Sequence, residues 1–337
     1  MKRKALALLS GGLDSTLAVK VMLEQGIEVE ALNFTSPFCT CTSNKSQSTG
    51  CKSEAIRVAQ EFGIPIKVMN KGVEYLEIVS NPKHGYGKGM NPCIDCRIFL
   101  LRKAKEYLAE SGADFVITGE VLGQRPMSQR RDTLRVIERE SGLEGLLLRP
   151  LSAKHFEPTI PEQEGWVDRE RLLSIHGRSR KEQIQLAEDL DVKNYPCPAG
   201  GCLLTEVSFV SKVKDVFDHS DQLNLRDFRL LKVARHFRVG PRTKVLIGRN
   251  EAENELLSHS ILPGEALLRW TEGASPLGVV MGQVDGGVLE TSAKILLRYT
   301  KAERGQECPI KVTVDGIERK ISVRNGFAED EIETYRV

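Results

Sequence analysis

The chain has 337 residues, 40% hydrophobic and 28% charged, and Lys+Arg 48 against Asp+Glu 46 leave a formal net charge of +2. This length predicts two domains with cores of their own, and the composition excludes extended disorder and any need for disulfides or metals merely to fold. The whole chain is not a polycation, so a nucleic-acid surface must be a local patch, and no run approaches the ~20 apolar residues of a membrane span.

Ala5–Leu9 follows Met1-Lys-Arg-Lys4 in the manner of a signal peptide, but Ser10-Gly-Gly12 interrupts it at once, where an apolar stretch of ~7–15 residues is required. Lys4–Leu9 is therefore predicted to be a buried first strand, and the protein is expected to be cytoplasmic. Helical spacing of apolar residues predicts a helix over Thr16–Gln25, stopped by Gly26. Val29–Phe34 reads as a second strand, Ser53–Phe62 as a helix, Ile64–Val68 as a third strand, Ile98–Glu110 as a helix and Phe115–Thr118 as a further strand. Strands alternating with helices predict an α/β parallel sheet covered by helices on both faces. Ligands of such sheets bind beyond the carboxyl ends of the strands. Glu170–Leu190 reads as one or two helices broken at Gly177, and Pro196–Cys202 as a turn-rich loop. From about 206 onward, helices at Val207–Phe217 and Glu251–Ser258 mix with strand-like runs at Lys244–Ile247, Leu289–Tyr299 and Ile310–Val314, predicting a smaller α+β domain. The expected domains are 1–205 and 206–337.

Ser10-Gly-Gly-Leu-Asp-Ser15 lies between the first strand and the first helix. Gly11 and Gly12 let the backbone approach an anion, and the free N–H groups and dipole of a helix N-terminus favour phosphate there. Ser10 and Ser15 offer hydroxyl donors, and Asp14 offers a ligand for Mg²⁺. A tight turn with Asp14 or Ser15 as helix cap is the plainer alternative.

Cys39, Cys41, Cys51, Cys93, Cys96, Cys197, Cys202 and Cys308 are the eight cysteines. In a reducing compartment, clustered cysteines point to metal or catalysis rather than a disulfide framework. Asn91-Pro-Cys-Ile-Asp-Cys96 sets two thiols at a helix start, where thiol pKa is lowered. With Cys197 and Cys202 they form a four-cysteine zinc site, or three of them hold an iron–sulfur cluster with one open iron. Cys39, Cys41 and Cys51 bind a separate metal, clamp their loop, or remain thiols. Cys308 is expected to be structural.

Taken together, SGGLDS, NPCIDC, Thr118-Gly-Glu120 and PAGGC resemble the PP-loop ATP pyrophosphatases that thiolate tRNA, the 2-thiouridylases and 4-thiouridine synthetases, over roughly residues 1–205. The resemblance implies a PP-loop (adenine nucleotide alpha hydrolase-like) fold and thiolation of a tRNA uridine, with ATP split to AMP and pyrophosphate. It implies ATP at Ser10, Gly11, Gly12, Leu13, Asp14, Ser15, Phe34, Thr118, Gly119 and Glu120, with Asp14 on Mg²⁺. Glu120 stands where the 2-thiouridylases carry a histidine. Cys96 and Cys202 match the two catalytic cysteines. Cluster-bearing members imply a [4Fe–4S] cluster on Cys93, Cys96 and Cys202, with Cys197 a competing ligand and zinc the lesser alternative. The implied partners are tRNA and a sulfur donor, either sulfide or a persulfide carrier.

Arg226–Arg249 holds eight Lys/Arg against one acid, Asp227. Such a patch on a near-neutral chain is the footprint of a phosphate-backbone contact. From this patch, RNA contact is expected through Lys232, Arg235, Arg238, Arg242, Lys244 and Arg249, and Lys244–Leu257 also resembles the RNA-binding domain of NFACT proteins, which likewise implies RNA contact. The other function classes these residues admit are a PP-loop ligase or amidotransferase that adenylates a small carboxylate, an RNA-binding scaffold with structural zinc, and a desulfidase. The basic segment argues against the first, and the intact SGGLDS loop against the other two.

Overall fold

Ala5, Leu6 and Ala7 are all buried in β1 (Lys4–Leu8) because this strand is covered on both faces and paired on both edges. The computed structural model describes residues 2–39, 51–195, 201–327 and 329–337, which divide into the units Met1–Glu206 and Val207–Val337. Among the described residues no helix is long and apolar enough to cross a membrane.

In the first unit, β1 is followed by α1 (Leu13–Glu24), β2 (Glu28–Thr35), α2 (Cys51–Glu61), β3 (Ile66–Asn70), α3 (Glu74–Ser80), α4 (Cys93–Ser111), β4 (Phe115–Thr118), α5 (Arg131–Ser141) and β5 (Leu147–Leu148). All five strands are parallel, in the order β3-β2-β1-β4-β5. Alternation along β1 divides the core. Ala5 and Ala7 face Leu17, Val21 and Met22 of α1 and Val58 of α2. Leu6 faces Ile98 and Leu101 of α4 and Ile137 of α5. Strand order reverses between β1 and β4, so the ends of these two strands open the crevice where a ligand of such a sheet belongs.

Beyond β5 come α6 (Ile160–Gln163) and α7 (Lys181–Asp189). The predicted helix over Glu170–Leu190 is thus α-helical only in its second half, and a single 3-10 turn at Arg169–Arg171 opens the first. After that turn the chain runs extended, with Ile175 N donating to Leu151 O at 2.8 Å and Gly177 N to Leu122 O at 2.7 Å.

The second unit contains α8 (Val207–His219), α9 (Leu225–Leu230), β6 (Arg235–Gly240), β7 (Thr243–Ile247), α10 (Glu251–Ser258), β8 (Ala266–Trp270), β9 (Gly278–Gly282), α11 (Gly286–Leu297), β10 (Glu307–Val314), β11 (Ile317–Arg324) and α12 (Glu329–Glu333). Its six strands form an antiparallel sheet in the order β11-β10-β8-β9-β7-β6. Leu289–Tyr299, expected as a strand, is instead mostly the helix α11. Asp285 caps it by accepting from Val288 N at 2.9 Å, and Leu289, Ala293 and Leu296 line its buried stripe against the sheet. Leu230 of α9 and Leu257 of α10 cover the opposite face through Leu246 and Val279. Cys308 is fully buried in β10, among this core.

Candidate active site

The chain leaves β1 through a turn that only glycine permits. Gly11 has φ +77°, and a Cβ there would lie 2.7 Å from Ala55 N of α2. Gly12 is the N-cap of α1 and supplies no side-chain acceptor, so the first amides of that helix face the mouth of the loop. Ser15 holds the turn closed, its Oγ donating to Gly12 O at 2.9 Å. Ser10 Oγ lies 3.1 Å from Ser15 Oγ, and Ser10 itself is exposed. Leu13 is buried in the core beneath them.

At the end of β4, Thr118 and Glu120 are buried. Gly119 lies against the first turn of α1, where a Cβ would come within 2.4 Å of Asp14 C and Ser15 N. Glu120 Oε2 receives Thr118 Oγ1 at 3.3 Å and Arg149 Nε at 3.2 Å, and Glu120 Oε1 lies 3.4 Å from Arg97 Nε. Its carboxylate is thus neutralised from within and anchors Arg97. Phe34 sits at the end of β2 and packs into the core layer beneath α4.

Asp14 Oδ2 accepts from Gln124 Nε2 at 3.1 Å and lies 4.0 Å from Arg180 Nη2. Asp14 Oδ1 is buried with no hydrogen-bond partner among the described residues. An unpaired carboxylate oxygen at a phosphate loop fits a Mg²⁺ ligand. Arg125 belongs to the same mouth. Desolvation and the neighbouring Arg97 and Arg180 push its guanidinium below the ordinary arginine value, while Cys93 and Asp14 oppose the shift. Three guanidiniums converging on one carboxylate and one thiol make a site for a polyanion.

The cysteine side begins with α4, which starts at Cys93, so both thiols of the C-x-x-C pair belong to its first turns. Lys71, just past β3, donates from Nζ to Cys96 Sγ at 3.2 Å and lies 4.1 Å above the Tyr75 ring. Burial raises the Cys96 thiol, but the Lys71 charge and the Tyr75 hydrogen bond outweigh it and hold the thiol below its ordinary value. Burial raises the Tyr75 phenol well above its ordinary value, which keeps it a proton donor. Burial and then Cys96 raise Cys93. Burial pushes Cys202 up to about 12, with Cys96 and Cys39 adding to the effect. Cys96 is therefore the more acidic thiol of the site and Cys202 the less acidic.

Cys202 is placed by an isolated antiparallel bridge to Cys39, and Met90 N donates to Leu204 O at 2.9 Å two residues further on. The structure thus gathers Cys96, Cys202 and Cys39 around Lys71 and Tyr75. Among the described residues, no three His, Cys, Asp or Glu side chains are grouped to hold a metal ion. The three donors expected for a [4Fe–4S] cluster, Cys93, Cys96 and Cys202, are not grouped there, and the four-cysteine zinc set includes Cys197, which lies outside the described residues. Cys41 and Cys197 lie outside the described residues, as does the side chain of Cys51.

Sequence reasoning missed Lys71, Tyr75, Arg97, Arg125 and Arg180. Arg125 stands in the loop after β4, six positions after Gly119, where closeness in sequence to the strand end beside the phosphate loop is a usable signal. Lys71 and Tyr75 flank the turn between β3 and α3, and only the folded sheet brings them to Cys96. Lys71→Met is expected to raise the midpoint of the pH profile for Cys96 alkylation by iodoacetamide, because the thiolate loses its nearest cation. An unchanged midpoint would remove Lys71 from this role.

The second unit treats its basic segment unevenly. Arg238 forks onto Asp215, with Nε at 2.9 Å from Oδ1 and Nη2 at 2.8 Å from Oδ2. Lys244 Nζ reaches Asp215 Oδ2 at 2.7 Å and is buried. Arg249 Nε is paired with Glu253 Oε1 at 2.8 Å, and Arg235 lies 4.3 Å above the Tyr299 ring. Lys232 is half-buried, and its carbonyl accepts from Arg249 Nη2 at 3.1 Å. Arg242 is exposed at the edge of a cavity of about 260 Å³, lined also by His219, Arg226, His236, Arg238 and Lys244. His236 donates from Nε2 to Val233 O at 2.8 Å, and its Nδ1 is buried without a partner among the described residues. The expected cations therefore line a pocket as much as they face outward.

Residues 1–158 match the family model described as thiamine biosynthesis protein (ThiI), and residues 234–336 match the NFACT protein RNA binding domain. A tRNA-specific 2-thiouridylase MnmA of Acetivibrio thermocellus is 35% identical over 127 residues, covering 35% of either chain. A tRNA-specific 2-thiouridylase MnmA of Clostridium perfringens is 27% identical over 235 residues, covering 64% of either chain. The alignments thus span between about a third and about two thirds of these relatives' length. Among solved structures, a 4-thiouridine synthetase–RNA complex with bound ATP aligns at 24% identity and TM-score 0.37, covering 68% of this chain and 52% of that one. Residues 1–158 are thus similar to the PP-loop enzymes of tRNA thiolation, and residues 234–336 to an RNA-binding domain.

Proposed function

We propose that the chain is an ATP-dependent tRNA uridine thiolase, which adenylates a uracil carbonyl oxygen and then replaces that oxygen with sulfur. One observation carries the reading. The end of β4 touches both halves: Gly119 packs on the backbone of Asp14 and Ser15 in the phosphate loop, and Glu120 Oε1 lies 3.4 Å from Nε of Arg97, the residue after Cys96, which supports one site. A phosphate loop alone fits many nucleotide enzymes, and a cysteine pair alone fits redox chemistry. Their union fits an activation step followed by a sulfur-transfer step.

In the first step, the base oxygen forms a bond to the α-phosphorus of ATP and the bond to the β-phosphate bridging oxygen breaks. The amides of Gly11 to Ser15 receive the departing pyrophosphate. Mg²⁺ held by Asp14 would neutralise phosphate charge. Arg97, Arg125 and Arg180 offset the negative charge that develops on the transferred and leaving groups.

In the second step, the terminal sulfur of a Cys202 persulfide attacks the activated carbon and AMP departs. The Cys96 thiolate then attacks Cys202 Sγ. The Cys202–sulfane bond breaks and the sulfur remains on the base. Two thiols are oxidised to a Cys96–Cys202 disulfide as the sulfane sulfur is reduced, so electrons balance. Lys71 and Tyr75 hold Cys96 as the attacking thiolate. A persulfide carrier supplies the sulfur: the Cys202 thiolate attacks the carrier's terminal sulfane sulfur, and the carrier departs as a thiolate. A cluster on Cys93, Cys96 and Cys202 remains the other sulfur route from the sequence, but its donors do not converge among the described residues, and no step here passes through it. The NFACT-type domain docks the tRNA, with Arg242 and the cavity beside it as the first contact to test.

Cys202→Ser is expected to abolish the appearance of thiouridine in bulk unmodified tRNA, by at least ~100-fold in nucleoside mass spectrometry, while tRNA-dependent AMP formation continues. Normal thiolation by this variant would refute the sulfur route. Loss of AMP formation together with thiolation would place Cys202 in the nucleotide step instead.

A further inference from the structure

A sulfur release that ends in a Cys96–Cys202 disulfide leaves the site oxidised and unable to turn over again. The structure places a third thiol against one half of that disulfide. Cys39 and Cys202 are directly opposed in an isolated antiparallel bridge. Leu203 N donates to Phe38 O at 2.9 Å. That bond joins the residue after Cys202 to the residue before Cys39, which makes the two cysteines a non-hydrogen-bonded pair. Such pairs have the shorter of the two antiparallel spacings, ~4.5 Å between Cα atoms, with side chains on the same face. The spacing falls within the window of about 4.4–6.8 Å that a disulfide bridges without backbone movement. Both residues are half-buried rather than sealed in the core, and Ser36 Oγ lies 3.4 Å from Cys39 Sγ, within hydrogen-bond reach of the thiol.

We propose that Cys39 is the exchange partner of Cys202: its thiolate attacks Cys202 Sγ in the Cys96–Cys202 disulfide, and Cys96 departs as a thiolate. One S–S bond forms and one breaks, the Cys39 proton passes to solvent, and no net electrons move. Two features direct the attack. Position sets Cys39 opposite Cys202, and the leaving group favours the same sulfur. Cys96 departs onto Lys71 Nζ and the Tyr75 hydroxyl, which already hold it low, and thiols of lower pKa leave faster. The exchange returns Cys96 to its poised state and moves the oxidised bond to the bridge between Cys39 and Cys202. The origin of the first disulfide rests on the thiolation reading above, whereas the opposition of Cys39 and Cys202 does not.

The test is disulfide mapping of the full chain. Trypsin leaves Cys39 with Cys41 and Cys197 with Cys202 on shared peptides, so the variant Cys41→Ser/Cys96→Ser/Cys197→Ser gives each of the two peptides one thiol. Stoichiometric diamide, an oxidant that takes two electrons from a thiol pair, is expected to link Cys39 to Cys202 in most molecules. Cys202 left reduced, or linked elsewhere, would overturn the proposal. In the Cys41→Ser/Cys197→Ser chain, which keeps Cys96, limiting diamide followed by timed alkylation is expected to show a Cys96–Cys202 link giving way to Cys39–Cys202 as Cys96 becomes alkylatable. A Cys96–Cys202 link that persists would equally overturn it. These outcomes are independent of ATP and tRNA, so a chain that forms the link without thiolating tRNA would sink the functional reading alone, and a thiolase without the link would sink this inference alone.

Discussion

Gly119→Ala is expected to abolish tRNA-dependent AMP formation while leaving the chain folded. The added methyl would stand 2.4 Å from Asp14 C and Ser15 N and 2.5 Å from Asp14 O. These are backbone atoms in the first turn of α1, with no flexible side chain to give way. Either the end of β4 or the phosphate loop must shift. Overpacking of this kind costs about 1–3 kcal/mol, which a unit of this size survives with a fall in Tm of ~2–4 °C per kcal/mol. The effect on chemistry is larger, because the amides that receive pyrophosphate and the Asp14 carboxylate sit on the displaced turn. A 1 Å misplacement of such groups can cost ~100-fold in rate, and a loss of at least that size is expected in AMP release from labelled ATP. A near-normal rate would mean that the loop does not bind the nucleotide in this geometry.

The second large effect lies in the other unit. Asp215→Ala removes the carboxylate that accepts from both Arg238 and Lys244. Lys244 is only 6% exposed and cannot recover its hydration. Stranding a buried charge in this way costs about 3–5 kcal/mol, so the second unit is expected to melt well before the wild type or to fail to fold. The pH dependence has a definite sign. Burial raises the Asp215 carboxyl, but Arg238 and Lys244 outweigh it and lower its pKa from 3.8 to about 2. The wild-type stabilisation is therefore present above pH ~4 and is lost as the pH falls toward about 2. In the variant, buried Lys244 is driven toward its neutral form, so stability rises with pH and the gap to wild type narrows on the alkaline side. Urea melts of the two chains from pH 5 to 10 would check this, and a constant gap would mean the Lys244 charge is not what the carboxylate offsets.

The first half of the fold was legible because each element announces itself locally. Ala5–Leu9, the glycine turn and the helical face after it make one βα unit in which core and ligand loop are contiguous in sequence. In the second sheet the cues are weaker. β11 exposes Glu318, Arg319 and Lys320 in succession on an edge strand, so its alternation is hidden. The Leu289–Tyr299 run shows that a short apolar stretch such as Ile295-Leu-Leu297 does not by itself separate a buried helix from a strand. The cap at Asp285 was the discriminating signal.

The candidate site divides in the same way. Ser10–Ser15 and Cys93–Cys96 are short motifs whose chemistry follows from spacing. What decides the state of Cys96 comes from Lys71 and Tyr75, more than twenty positions before it, and the opposition of Cys39 to Cys202 joins residues more than 160 positions apart. The basic run from Arg226 to Arg249 misleads for a related reason. Linear charge counting has no view of Asp215, which lies upstream and engages two of those cations.

The measurement that tests the account most directly is the fate of ATP labelled at the α- and β-phosphates, with the full chain, Mg²⁺ and bulk unmodified tRNA. AMP and pyrophosphate are expected in the presence of tRNA and absent without it, and Asp14→Ala should remove both products while the chain stays folded. AMP formed equally well without tRNA would contradict RNA adenylation and point to a small-molecule carboxylate as acceptor. No cleavage between the α- and β-phosphates under any condition would contradict the enzyme altogether and leave an RNA-binding scaffold.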